Sequence, residues 1–137
     1  MLAHQQGALL NAARLAGALG ISGQTLGRYL DLMVDLLLVR RLQPWASNAG
    51  KRLVRSPKVY VRDSGLVHTL LGLSDLDAIL GYPIAGASWE GMVIENLVAA
   101  LPPTASAFFY RTATGAELDL LLEFQGSPNE LVGTISG

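Results

Sequence analysis

Cysteine is missing from all 137 residues, which excludes a disulfide framework and a thiolate metal site and leads us to expect a cytoplasmic setting. Long apolar runs are missing too, although half of the residues are hydrophobic. The densest run, Leu36-Leu37-Leu38-Val39, stops at Arg40-Arg41, far short of the roughly 18 residues a membrane-spanning helix needs. The first residues turn polar at His4-Gln5-Gln6, so no secretory signal pattern is read there and no membrane partner is expected. Histidine is scarce: His4 and His68 have no partner ligands at metal-binding spacing, which argues against zinc. Lysine does not occur after Lys58.

What is present is a charge split. Residues 1–62 hold 9 basic and 2 acidic side chains, and residues 63–137 hold 1 basic and 9 acidic ones. Such asymmetry suggests two modules, the first able to attract a polyanion, or two halves that attract each other.

Periodicity divides the first half into helices. Asn11 is a good N-cap for a helix through Ala12 to Leu19, with Gly20 as the turn and Ser22 capping a second helix. In that second helix Leu26, Leu30, Met33 and Leu37 form one stripe, opposite Gln24, Arg28, Asp31 and Asp35. The spacing of Ala16, Gly20, Ile21, Leu26 and Tyr29 fits a helix-turn-helix. Residues 38–42 read as a strand returning through a turn at Ser47-Asn48-Ala49-Gly50 to a partner at 51–55, which predicts a winged helix-turn-helix over residues 1–57.

Beyond Pro57, Lys58-Val59-Tyr60-Val61-Arg62 alternates like a strand. A short helix is expected around Leu66 to Leu71, and another after the cap-like Ser74-Asp75-Leu76-Asp77. Ser88 should open a longer helix with Trp89, Met92, Val93, Leu97 and Ala100 as its packed face, ended by Pro102-Pro103. Residues 107–111 and 117–124 then read as a hairpin turning near Gly115.

Two constellations carry candidate chemistry. Gln24, Thr25 and Arg28, early on the second helix, are types that reach base edges, while Lys51, Arg52 and Arg55 on the predicted wing could neutralise phosphates. These six are the candidate double-stranded DNA contacts, although Asp31 and Asp35 on the same face would repel a nucleic-acid backbone. Glu117, Asp119 and Glu123 alternate on one predicted strand face and could together hold a hard cation. Gly50-Lys51-Arg52 does not end a phosphate-binding loop, since Trp45 and Arg52 stand where glycine and Ser or Thr are required.

The order of segments resembles prokaryotic ATPases of the AAA+ superfamily that end in a winged helix and a domain of unknown function. The likeness rests on residues 36–45 and 50–66, on Gly86-Ala87-Ser88-Trp89-Glu90-Gly91-Met92-Val93-Ile94-Glu95-Asn96-Leu97, and on Tyr110-Arg111-Thr112 with Gly115-Ala116-Glu117-Leu118-Asp119. It covers nearly the whole chain. The resemblance implies that the second domain looks like the PD-(D/E)xK restriction-endonuclease fold, with Glu90 and Asp119 matching two vestigial Mg²⁺ positions. The E-x-K element is absent, since Glu123-Phe124-Gln125 offers glutamine in place of lysine.

These readings yield an α+β expectation: a winged helix-turn-helix over residues 1–57, then an incomplete restriction-endonuclease-like α/β domain over residues 58–137. The chain is expected to be a non-catalytic fragment, truncated at both ends, whose winged helix binds DNA or docks as a regulatory part, without catalytic residues or cofactors of its own; a Mg²⁺-dependent nuclease remnant, or an interaction module docking on the ATPase core, is the alternative. ATP and Mg²⁺ would belong to the full-length parent, whose ATPase domain is the expected partner beside DNA.

Overall fold

The computed structural model describes residues 1–45 and 54–125. The fold is α+β, as expected. A 3₁₀ turn (Leu2–Gln5) and a short strand β1 (Ala8–Leu9) precede α1 (Ala12–Leu19), α2 (Gly23–Asp35), β2 (Val39–Pro44), β3 (Lys58–Val61), α3 (Ser64–Leu70), α4 (Leu76–Leu80), α5 (Ala85–Ala99), β4 (Ala105–Arg111) and β5 (Glu117–Phe124).

The helix-turn-helix forms where polar caps and a glycine place it. The Asn11 side chain accepts from the Arg14 amide, and Gly20 closes α1 in the left-handed region at φ 66°, which glycine enters without a Cβ clash. Ser22 Oγ then accepts from the Thr25 amide at 3.1 Å to start α2. Leu15, Ala16, Leu26 and Leu30 form the shared core of the pair. Leu37 does not join that stripe: α2 ends at Asp35, and Leu37 sits at φ 59° with its side chain 65% exposed.

The sheet has the order β1-β3-β2-β4-β5 and is mixed, with β2 and β4 parallel and the other neighbours antiparallel. The predicted wing is not the pairing that β2 makes. Its antiparallel neighbour is β3, with Val39 opposite Val61 and Leu42 opposite Lys58, and its other edge meets β4 at Gln43 and Pro44. Residues 54 and 55 lie outside any strand, and Lys51 and Arg52 fall outside the described residues. The physical reason is that β3 brings three apolar or amphipathic side chains, Val59, Tyr60 and Val61, that are each buried only in the sheet's interior.

Gln6 extends this pairing without being in a strand. Its buried amide accepts from the Val61 N–H at 2.8 Å and donates to the Val61 carbonyl at 3.1 Å, so one side chain satisfies both backbone groups beyond the end of β1.

Helix α5 lies on the sheet face that carries Tyr60, Leu42, Phe109, Leu120 and Leu122, and adds Ile94 to that core. It begins at Ala85, earlier than the expected Ser88, which is buried within it with Oγ 2.7 Å from His68 Nε2. Its packed face also differs from the expected one. Ser88, Gly91 and Ile94 are buried, while Trp89 is 64% and Leu97 41% exposed. The helix is apolar nearly all round, so periodicity could not choose its inner face. The inner face is the one that carries Ser88, Gly91 and Ile94, with Glu90 and Glu95 beside it meeting the cations of the sheet.

Candidate functional site

Strand alternation puts Lys58, Tyr60 and Arg62 on one face, and the β2–β3 register sets Arg40 beside Tyr60. All four polar heads meet acids. Lys58 Nζ lies 2.7 Å from Glu117 Oε1, 2.9 Å from Asp119 Oδ1 and 3.5 Å from Glu90 Oε1, with its side chain 4% exposed. The Tyr60 hydroxyl donates to the same Glu90 oxygen. The Phe109 ring lies under the ammonium, its centroid 5.6 Å away. At the other end of α5, Glu95 accepts from Arg40 Nε at 2.7 Å and from Arg62 Nε at 2.7 Å.

Electrostatics follow from this geometry. Burial alone would push the Lys58 ammonium down, but the hydrogen bonds to Glu117 and Asp119 and the charges of Glu90 and Asp119 outweigh it and hold the pKa above the ordinary lysine value. Burial, reinforced by the hydrogen bond to Glu90, pushes the Tyr60 hydroxyl far up. Burial also opposes ionisation of Glu95, yet the two arginines prevail and hold its carboxyl below the ordinary glutamate value.

The expected acid face of β5 is only partly formed. Between Phe108 and Tyr110 the register slips: Leu121 pairs with Phe108 but Leu118 with Tyr110, which leaves one extra residue on β5. The bulge reverses the alternation. Glu117 and Asp119 therefore share the inner face with Leu122, and Glu123 points to the opposite, exposed side.

Glu90 and Asp119 are thus brought together as the two expected metal positions, but they do not fit a divalent ion. The point on which Glu90, Glu117 and Asp119 converge is the Lys58 ammonium, and among the described residues no group of three acidic or histidine side chains is arranged to hold a metal. Lys58 is not legible from the residues that follow Asp119, because the ammonium comes from a strand earlier in the chain. The alternation of Lys58, Tyr60 and Arg62 was the signal available.

The candidate DNA contacts divide differently. Gln24 and Arg28 are exposed on α2, Thr25 is half-buried with its hydroxyl accepting from Ser22, and Arg55 is exposed ahead of β3. Lys51 and Arg52 lie outside the described residues. Much of the basic charge of the first half is committed internally: Arg40, Lys58 and Arg62 pair with Glu90, Glu95, Glu117 and Asp119, and Arg41 pairs with Asp31 at 2.6 Å.

Beside these polar clusters, a strongly apolar groove of about 630 Å³ runs along α1, α2 and α3. Buried Leu15, Leu26 and Leu30 contribute to its lining, and Tyr29, Leu32, Leu36 and Leu70 are more than half exposed along it.

A family described as Domain of unknown function (DUF8612) has a model that matches residues 1–77, more than half of the sequence. The chain belongs to that family. A second family, Domain of unknown function (DUF4143), matches residues 85–131. Lys58, Arg40 and Arg62 lie in the DUF8612 stretch, and their acidic partners in the DUF4143 stretch. Among curated proteins, the chain is 50% identical over 128 residues to Uncharacterized protein Rv2008c of Mycobacterium tuberculosis and, equally, to Uncharacterized protein Mb2031c of Mycobacterium bovis. The match covers 93% of this chain and 29% of each relative. No solved structure matches the chain. No helix among the described residues is long and apolar enough to cross a membrane.

Proposed function

We propose that this chain is a non-catalytic docking part of a longer ATPase-family protein, and that its groove seats an amphipathic helix from the rest of that protein. In this reading α1 and α2 form a helix-turn-helix used for regulatory docking, and the second half is a degenerate nuclease-like domain. The groove carries the reading. Tyr29, Leu32, Leu36 and Leu70 expose a contiguous apolar surface that a monomeric soluble domain rarely leaves open. A helix laying leucine-type anchors along such a surface is a common recognition mode. The occupant is assigned to the same protein because the curated relatives carry more than two thirds of their length outside the matched stretch.

DNA contact through Gln24, Thr25, Arg28, Lys51, Arg52 and Arg55 is the second reading, supported by the exposure of Gln24 and Arg28. It is disfavoured by the internal pairing of Arg40, Arg41, Lys58 and Arg62.

Mixing this chain with the separately expressed remainder of the Mycobacterium tuberculosis relative tests the choice. Calorimetry should show association, weakened at least tenfold by Leu32→Glu with Leu36→Glu and indifferent to Arg28→Ala. Absence of association, or equal binding by the double variant, would overturn the docking reading. Salt-sensitive duplex binding lost in Arg28→Ala would put DNA in its place.

A further inference from the structure

We infer that Leu37 is the anchor of the docking groove, an apolar side chain held on a strained backbone for the occupant to bury. The inference rests on the docking reading above and names the residue at which that groove ends. After α2 the Leu37 amide donates to the Val34 carbonyl at 3.0 Å, and the Leu38 amide to the Met33 carbonyl at 2.9 Å. This pair of bonds closes a helix through one left-handed residue, for which glycine is the usual choice. The chain follows that rule at the end of α1, where Gly20 and Ile21 make the same two bonds to Gly17 and Ala16 and Gly20 takes φ 66°. At the end of α2 the left-handed residue is a leucine at φ 59°, and among the described residues it is the one non-glycine with a positive φ.

A leucine in that conformation presses its Cβ against the following carbonyl oxygen, a strain that glycine would not carry. Packing among the described residues does not offset it, since the side chain is 65% exposed.

The surroundings of Leu37 point to the occupant of the groove. Leu36 lines the groove directly before it, and Leu38 and Leu66 line both the groove and a neighbouring hollow that Leu37 borders. A segment seated along Tyr29, Leu32 and Leu36 therefore meets Leu37 next. The charged groups of the hollow are already engaged, Arg62 with Glu95 and Asp63 with the Leu66 amide. Recognition there is by apolar contact rather than by an ion pair. The occupant presents an apolar socket to Leu37, and it comes from the more than two thirds of the curated relatives' length that lies outside the matched stretch.

Two measurements test the anchor. In the 137-residue chain alone, Leu37→Gly should raise the melting temperature by a few degrees, whereas Leu37→Ala, which keeps the strained Cβ, should not. The second uses the full-length Mycobacterium tuberculosis relative carrying this chain in place of its matched stretch, where hydrogen exchange of residues 26–35 reads whether the groove is covered. With the wild-type sequence these amides should exchange at least tenfold more slowly than in the isolated chain, and raised salt should leave that protection in place. Leu37→Gly and Leu37→Ala should both lose it, and Leu37→Met, which restores a long apolar side chain, should keep it. A lower melting temperature for Leu37→Gly would overturn the proposal, because the leucine would then serve the chain's own packing. So would protection that persists in Leu37→Gly but is lost with Leu32→Glu and Leu36→Glu, an outcome that leaves the docking reading standing. Equal exchange in the isolated chain and the full-length protein would overturn both.

Discussion

Lys58 and Asp119 stand 61 positions apart in the chain, yet Nζ and Oδ1 are 2.9 Å apart. The contact spans the DUF8612 and DUF4143 stretches and makes the ion cluster a joint between them. In metal-free buffer Lys58→Ala leaves three inward-facing carboxylates without their central cation, a change that typically costs about 3–5 kcal/mol. Urea unfolding of the variant against wild type measures it.

Alkaline pH should loosen the same joint. Lys58 and Tyr60 both have folded pKa values above their ordinary 10.5 and 10.0, so in each case the unfolded chain gives up its proton first. Their contributions are whole below about pH 10 and are lost as pH rises towards the folded values. Stability followed from pH 8 to 11 should therefore fall at the upper end, and Tyr60→Phe should flatten part of that fall.

Acid should act on the other end of α5. The arginines lower the folded pKa of Glu95, so its contribution is whole above the ordinary 4.5 and is lost as pH falls through the folded value. Glu95→Gln should remove that part of the acid dependence and cost about 1–3 kcal/mol at neutral pH, because charged hydrogen bonds to Arg40 and Arg62 are lost. Urea midpoints collected between pH 7 and 3 read both quantities.

Gly91→Ala should destabilise the α5 packing. A Cβ there would lie 2.7 Å from Gln6 Nε2 and 3.0 Å from Tyr60 Cδ1. Neither neighbour yields easily, since Gln6 is tied to both backbone groups of Val61 and Tyr60 is held by Glu90. A loss of about 1–3 kcal/mol is expected from such overpacking, again by urea titration.

Local chemistry made much of the chain legible in advance. Asn11, Gly20 and Ser22 set the ends of α1 and the start of α2, Asp75 capped α4, and Gly115, at φ 101°, turned the β4–β5 hairpin. These signals act within four residues, so they survive whatever the rest of the fold does. The features that local signals do not fix are non-local. Sequence order points to the nearest downstream basic segment as the partner of β2, whereas β3, which buries Val59, Tyr60 and Val61, is its antiparallel neighbour. The apolar spacing of Trp89, Met92, Val93, Leu97 and Ala100 points to one inner face of α5, whereas Ser88, Gly91 and Ile94 are the residues buried, beside glutamates paired with Arg40, Arg62 and Lys58.

The amino-acid order by itself determined the α+β class, most of the helices and the segregation of charge, because capping, turn and alternation rules depend only on neighbours. Tertiary structure alone decided where that charge goes. A bulge on β5 turned Glu117 and Asp119 inward and Glu123 outward, and a strand from the basic half delivered the ammonium that they surround. Attraction between oppositely charged groups carries no sequence spacing, so which acid meets which base is fixed only when the backbone brings them within a few ångströms.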